Sequence, residues 1–263
     1  MIDLTGVEGV WLRRYHAAER AEVTLVCFPY AGGAASYFHP LSAALSPVVE
    51  VLAVQYPGRQ DRRREQPIRR LDTLVDRLLP MLDGWSGRHL ILFGHSMGAV
   101  VAFEVARRLE AAGAAQPAGV IVSGRRSPTQ PGPRGVHLLD DAGLIAEIRR
   151  VNGRAAELIV DEEMLRLSLP AIRADYAAVE THEHRPAPRL RCPVTAFTGA
   201  GDPLVTPDEA AAWADCTAGA FRLRVFDGGH FYIGSSLTAV SAAITDEVER
   251  FRYPDSLAGR SVL

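Results

Sequence analysis

The sequence predicts the α/β class, a mostly parallel central sheet flanked by helices with one helical insertion. Three observations predict it: short apolar, β-branched runs closed by glycine or proline, helical periodicity between them, and one long break in that alternation. Val23–Phe28 is the first such run, closed by Pro29 and the Gly32-Gly33 pair. A second run at 48–54 ends at Tyr56-Pro57-Gly58. Leu71, Leu74, Val75, Leu78, Leu79 and Leu82 follow helical spacing, so a helix is expected over Leu71–Leu82. A strand at 90–93 ending at Gly94, a helix at 99–112 and a strand at Gly119–Ser123 follow. Runs that are apolar throughout, rather than alternating, belong to strands covered on both faces, as in a parallel sheet. Between 127 and 189 the strand rhythm stops, and helical stretches at 142–151 and 162–179 stand among proline and glycine breaks. This segment reads as an inserted lid on a core of 1–126 and 190–263. Strands at 193–198 and Phe221–Phe226, a closing helix at 237–251 and a loose tail of about a dozen residues complete the expectation.

Composition narrows the function. With 263 residues, 48% apolar and 23% charged, the chain suits one soluble α/β domain with an insertion, and no uncharged apolar run nears the roughly 18 residues of a bilayer span. Asp3, Glu8, Arg13 and Arg14 interrupt the N-terminus, which does not read as a signal peptide, so a cytoplasmic location is expected. Cys27, Cys192 and Cys216 are odd in number and lack a C-x-x-C spacing, which argues against a disulfide framework and a zinc site. A formal net charge of −2 offers no overall attraction to nucleic acid.

Gly94-His95-Ser96-Met97-Gly98 fits G-x-S-x-G and falls between an expected strand and an expected helix, where a nucleophile elbow belongs. Glycines two residues to either side let strand and helix approach while the serine hydroxyl projects outward. The bland alternative is a glycine-rich turn with a capping serine. A serine hydroxyl is a weak nucleophile and needs a base, which in turn needs an orienting acid. In this arrangement the order is Ser, then Asp or Glu, then His. His230, in Asp227-Gly228-Gly229-His230-Phe231-Tyr232 after the last strand, is the expected base. Asp202, in the loop after the 193–198 strand, is the expected acid; Asp227 and Asp208 are its rivals. Asp227 stands only three residues from His230 and suits shaping the turn, while Asp208 suits the first turn of a helix. His182 and His184 are expected to be solvated, and a lone H-x-H is weak evidence for metal.

Acyl transfer through such a serine passes through an oxyanion, and preorganised N–H donors to it are worth roughly 2.7–4 kcal/mol. The expected donors are the backbone N–H of Met97, after the nucleophile, and of Ala31, in the loop after the first strand.

With these motifs in hand, the chain resembles the type II thioesterases, stand-alone editing enzymes of the α/β-hydrolase fold associated with polyketide and nonribosomal peptide synthases. The resemblance spans nearly the whole length. It rests on Phe28-Pro-Tyr-Ala-Gly-Gly33, Gln55-Tyr-Pro-Gly-Arg59 with Arg62 and Glu65, Gly94-His-Ser-Met-Gly98, Leu169-Pro-Ala-Ile-Arg-Ala-Asp175, Cys192-Pro-Val194, Gly201-Asp-Pro203 and Gly228-Gly-His-Phe231. It implies hydrolysis of acyl groups held as thioesters on the phosphopantetheine arm of acyl or peptidyl carrier proteins. It implies no metal or bound cofactor, since the arm arrives with the substrate; separately, a monomer is expected, and neither nucleic acid nor membrane is expected as a partner. Tyr30 stands where the family often carries His, which puts any side-chain role there in doubt. Leu158, Ile159, Leu165, Leu167, Leu169 and Ile172 are expected either to line an acyl chamber or to form the lid's own core. Arg59, Arg62, Arg63 and Arg64 are expected to form a solvated face, with docking of an acidic carrier as the alternative. An esterase or acyltransferase with the same three residues, and a non-catalytic carrier-binding subunit, are the rival readings.

Overall fold

The computed structural model describes residues 7–82, 89–113, 116–130, 132, 134–152, 162–184 and 188–253. Seven strands form one sheet among these residues: β1 Leu12–Arg14, β2 Val23–Phe28, β3 Glu50–Val54, β4 His89–His95, β5 Gly119–Ser123, β6 Val194–Gly199 and β7 Phe221–Phe226, in the order β1-β3-β2-β4-β5-β6-β7. All neighbours pair in parallel except β1, which runs antiparallel to β3 at the edge. The expected strands are therefore present, with ends shifted by up to two residues. β1 had no counterpart in the sequence reading, because a three-residue strand with two arginines carries no apolar run. Its ladder to β3 and the Arg14–Glu50 ion pair, 2.8 Å apart, hold it.

Successive strand residues point to opposite faces, and both faces are buried. Val26 and Phe28 of β2 and Leu92 of β4 pack with the helices α3 (Leu71–Leu82) and α4 (Met97–Ala111). Leu25, Cys27, Ile91 and Phe93 face the helices α2 (His39–Leu45) and α9 (Leu237–Arg252). Each fully buried side chain of this size contributes roughly 1.5–3 kcal/mol, so two covered faces account for a stable scaffold. The short helices α1 (Val7–Trp11), α7 (Pro207–Ala211) and α8 (Tyr232–Ser235) complete the outer layers.

The sheet order also determines where a ligand can bind. The chain leaves β2 for β3 on one side and returns to β4 on the other, so the loops after β2 and β4 diverge. A crevice forms outside the carboxyl ends of strands at such a reversal. The loop after β2 and the turn at Ser96 flank it.

Between β5 and β6 lie α5 (Asp141–Asn152) and α6 (Glu162–Glu180). These helices share a small core of Leu144, Ile145, Leu165, Leu169 and Ile172. The Glu180 carboxylate ties the preceding turn to α6 by accepting the backbone N–H of Gly135, Val136 and His137 at 3.1–3.2 Å. Leu167 belongs to neither a core nor a chamber: two helical positions from Leu165 and Leu169 it faces the opposite way and is 70% exposed. Leu158 and Ile159 lie outside the described residues.

Among the described glycines the closest backbone approach is at the β4–α4 turn, where a Cβ on Gly98 would stand 1.9 Å from the Phe28 carbonyl oxygen. Gly98→Ala is expected to destabilise the protein by at least about 3 kcal/mol in urea unfolding. Gly234→Ala, whose Cβ meets open space, is expected to change stability by less than about 1 kcal/mol. Equal effects of the two substitutions would refute this account of the turn.

Candidate active site

Ser96 joins β4 to α4 with φ 55° and ψ −115°, a conformation a non-glycine residue adopts only when its surroundings impose it. Two constraints do so. Ser96 N–H donates to the Ser123 carbonyl at 2.7 Å, and the flanking glycines sit where a Cβ would strike backbone, that of Gly94 coming 2.0 Å from the Gly98 oxygen. The helix therefore starts at Met97, two residues before the sequence placed it, because the serine itself occupies the cap position.

His230 follows β7 and is buried. Its Nδ1 lies 2.9 Å from Asp202 Oδ2. An ionised carboxylate only accepts hydrogen bonds, so Nδ1 carries the proton and the free lone pair is on Nε2. Asp202 is held from its other side, its Oδ1 accepting the Leu204 N–H at 2.8 Å. The loops after β6 and β7 are joined backbone to backbone, with Ala200 N–H on the Phe226 carbonyl (2.8 Å) and Gly201 N–H on that of Gly228 (2.9 Å). A Cβ on Gly199 would meet the Gly229 oxygen at 2.4 Å, so only glycine permits this approach. Asp227 and Asp208 are both exposed, and Asp202 is the carboxylate that reaches the imidazole.

Ser96 and His230 open into one cavity of about 430 Å³. Tyr30, Ala31 and Phe231 wall it on the sheet side, and Leu165, Ile172 and Tyr176 of α6 cover it. Leu165 and Ile172 thus fill both roles left open for them. Met97, buried, begins α4 beside Ser96. A second cavity of about 480 Å³, lined by charged side chains including Glu104, Arg107 and Arg108, contains none of the expected site residues. Among the described residues no group of three or more His, Cys, Asp or Glu could hold a metal ion.

Two expectations are corrected. Arg59 and Arg62 are buried, at 7% and 6% exposure, and not part of a solvated face. Arg59 pairs with Asp175 of α6 and donates to the Pro57 carbonyl. Arg62 grips both oxygens of Glu65, donates to the Gln55 carbonyl at 2.7 Å and lies over the Trp11 ring. A planar guanidinium satisfies several acceptors at once, which makes such burial tolerable. Only Arg63 and Arg64 remain exposed. The side chains of His182 and His184 are likewise turned inward rather than solvated, toward Glu104, with His182 Nε2 at 3.4 Å and His184 Nδ1 at 4.0 Å.

Sequence reasoning passed over His95, within the motif itself. Its ring is fully buried, 5.0 Å from that of His230, and its Nδ1 joins the Ser123 hydroxyl at 2.9 Å, which meets the Tyr232 hydroxyl at 2.6 Å. Burial, and secondarily the neighbouring His230, pushes its pKa well below the ordinary histidine value. The unfolded chain therefore binds a proton at about pH 6.5 that the folded protein does not, and stability falls as pH drops below that value. One such group contributes a slope of at most about 1.4 kcal/mol per pH unit. Urea unfolding between pH 7.5 and 5 is expected to show this loss, with His95→Asn visibly flatter; superimposable curves would disprove it.

Residues 23–248 match the Thioesterase domain family. The chain is 51% identical to the probable cadicidin biosynthesis thioesterase of Streptomyces griseus over 94% of its own length and 67% of that protein. It is 47% identical to thioesterase PikA5 of Streptomyces venezuelae, over 91% of this chain and 86% of the relative. Among solved structures, the type II thioesterase BorB from the borrelidin biosynthetic cluster superimposes with a TM-score of 0.80 at 46% identity, covering 90% of this chain and 95% of that one. The RedJ thioesterase from the prodiginine pathway of Streptomyces coelicolor gives 0.81 at 39% identity, over 87% and 86%. A strained serine at the β4–α4 turn, a carboxylate-bound histidine in the same cavity and a match over most of the length lead to one statement: the chain belongs to the thioesterase domain family and is a hydrolase of thioester bonds.

Proposed function

We propose that the protein hydrolyses acyl thioesters borne on the phosphopantetheine arm of acyl or peptidyl carrier proteins, clearing stalled or misprimed polyketide or nonribosomal peptide synthases. Ser96 is the nucleophile, His230 the general base and Asp202 the acid that orients it. The observation carrying this reading is the Nδ1–Asp202 bond, which leaves His230 Nε2 as proton acceptor in the cavity that Ser96 shares. His230 takes the Ser96 proton as the oxygen attacks the thioester carbonyl, and the N–H groups of Met97 and Ala31 hold the oxyanion. The pantetheine thiol leaves with that proton, and an acyl-serine ester remains. Water, deprotonated by His230, then attacks the ester and releases the free acid and the serine. Asp202 stays ionised throughout and stabilises the imidazolium.

The insertion between β5 and β6 serves as the lid of the acyl chamber, a reading supported by the apolar side chains that α6 places over Ser96. No metal or resident cofactor takes part in these steps. Carrier domains are the partners implied by relatives named for polyketide and peptide pathways, such as the gramicidin S biosynthesis protein GrsT of Aneurinibacillus migulanus. On this reading the protein works as a monomer in the cytoplasm, beside such assembly lines. No helix among the described residues is long and apolar enough to cross a membrane.

Ser96→Ala and His230→Ala are each expected to lower release of acyl groups from a loaded carrier protein by about 10⁴-fold or more, with melting temperatures little changed. Mass spectrometry of the carrier reads this directly. Full hydrolysis by Ser96→Ala would overturn the reading, and a clear preference for matched oxygen esters over thioesters would favour the esterase alternative. Asp202→Asn is expected to cost about 10⁴-fold in kcat through the wrong imidazole tautomer, against less than about threefold for Asp227→Asn, which is exposed; the opposite ranking would transfer the role to Asp227.

A further inference from the structure

Two motifs of the resemblance find no use in the chemistry above: Gln55-Tyr-Pro-Gly-Arg59, and the α6 run ending at Asp175. In the folded protein they meet beneath the loop after β2. Asp175 Oδ2 accepts the backbone N–H of Gly32 at 2.7 Å and also the Arg59 guanidinium. Both side chains are buried, at 5% and 7% exposure. Gln55 reinforces the same loop, its Oε1 accepting the Ala35 N–H at 2.8 Å while its Nε2 donates to the Arg59 carbonyl at 3.3 Å. Gly32 itself has φ +80°, and a Cβ there would stand 2.5 Å from Ile172 Cγ1. Ile172 and Asp175 are three residues apart on one face of α6, so the helix grips Gly32 by packing and by hydrogen bond together.

The consequence for Ala31 follows from peptide geometry. Gly33 N–H donates to the Tyr30 carbonyl at 2.8 Å. A trans peptide is planar, so the Ala31 N–H points away from that carbonyl, out of the turn. The next peptide, carrying the Gly32 N–H, is held by Asp175. Ala31 therefore sits between two peptide planes whose orientations are both tied down, and it lines the cavity containing Ser96.

We propose that Asp175 is a positioning residue for the oxyanion hole: its carboxylate, charge-balanced by Arg59, holds the Gly32 peptide so that the neighbouring Ala31 N–H stays directed at the reacting carbonyl. The inference rests on the acyl-transfer reading of Ser96. It makes the donor depend on the seating of α6, so that the helix covering the acyl chamber also assembles part of the catalytic machinery.

The test compares the wild type with Asp175→Asn, Asp175→Ala and the double variant Asp175→Leu with Arg59→Met, which removes both buried charges and is chosen to restore the melting temperature. Three quantities are read on one acyl group: kcat and KM for the thioester, affinity for its trifluoromethyl ketone, which becomes an oxyanion on attack by Ser96, and affinity for the unreactive thioether. Asp175→Ala and the double variant are expected to lose about 100-fold in kcat and in ketone affinity. KM and thioether affinity should stay within about twofold, and Asp175→Asn, which keeps an oxygen for Gly32, should recover part of the loss. If the double variant regains kcat along with its melting temperature, or if ketone and thioether affinities fall alike, Asp175 is merely structural and the proposal fails. An inactive wild type, or an active Ser96→Ala control, would instead overturn the reading beneath it.

Discussion

Backbone meeting backbone at the carboxyl edge of the sheet is the constraint on which the rest depends. Gly98 lies against the Phe28 carbonyl, Gly94 against that of Gly98, and Gly199 against those of Gly228 and Gly229. Each contact lacks room for one methyl group. Through them the turns after β2, β4, β6 and β7 come close enough for side chains that are remote in sequence to touch. The sheet core supplies the stability, but it is indifferent to side-chain geometry at the edge. The glycine contacts convert a generic α/β sandwich into one whose histidine loop bears on its aspartate loop, and whose serine sits in a conformation the serine alone would not choose.

Buried charge provides a second, more selective tie. The Arg59–Asp175 pair spans 116 residues and links the turn after β3 to α6. Removing two charges from water costs several kcal/mol per ion, and their attraction repays it only where further hydrogen bonds complete the set. Here the Gly32 N–H and the Pro57 carbonyl supply such bonds, although the buried Arg59 Nε has no hydrogen-bond partner among the described residues. Burial still raises the Asp175 pKa despite Arg59 and the Gly32 amide, both of which act to lower it. A hydrophobic pair would hold the helix as firmly. What it would lack is an acceptor for the Gly32 amide, so the ionic pair has its use in orientation rather than in stability.

The features legible in the sequence were those decided by neighbours in the chain. α3, β5 and β7 have the limits expected of them, because apolar periodicity and bounding glycines are local signals. The order of Ser96, Asp202 and His230 along strand ends was legible for the same reason, as each follows an apolar run. β1 was invisible because its support, the ladder to β3 and the Arg14–Glu50 pair, comes from a distant part of the chain. Arg59 and Arg62 look like a solvated run for as long as Asp175 and Trp11 are out of sight. His182 and His184 read as solvated until Glu104 of α4 is brought beside them. In every such case a deciding partner is brought in by tertiary structure: β3 for β1, Asp175 and Trp11 for the arginines, and Glu104 for the histidines.

His95 shows how such an unseen partner bears on chemistry. Two charged imidazoles 5.0 Å apart would repel by about 3 kcal/mol at an effective dielectric constant near 20. The proposed mechanism requires a positive charge on His230 at the moment Ser96 attacks, so a protonated His95 would oppose the step by that amount, or about a hundredfold in rate. Burial removes the problem by making protonation of His95 costly, while its Nδ1 stays satisfied by the Ser123 hydroxyl. The two histidines differ chiefly in that His230 has a carboxylate at Nδ1 and His95 a neutral hydroxyl. A cation on His230 would stand beside a carboxylate and one on His95 would not, an arrangement that suits the proposed mechanism.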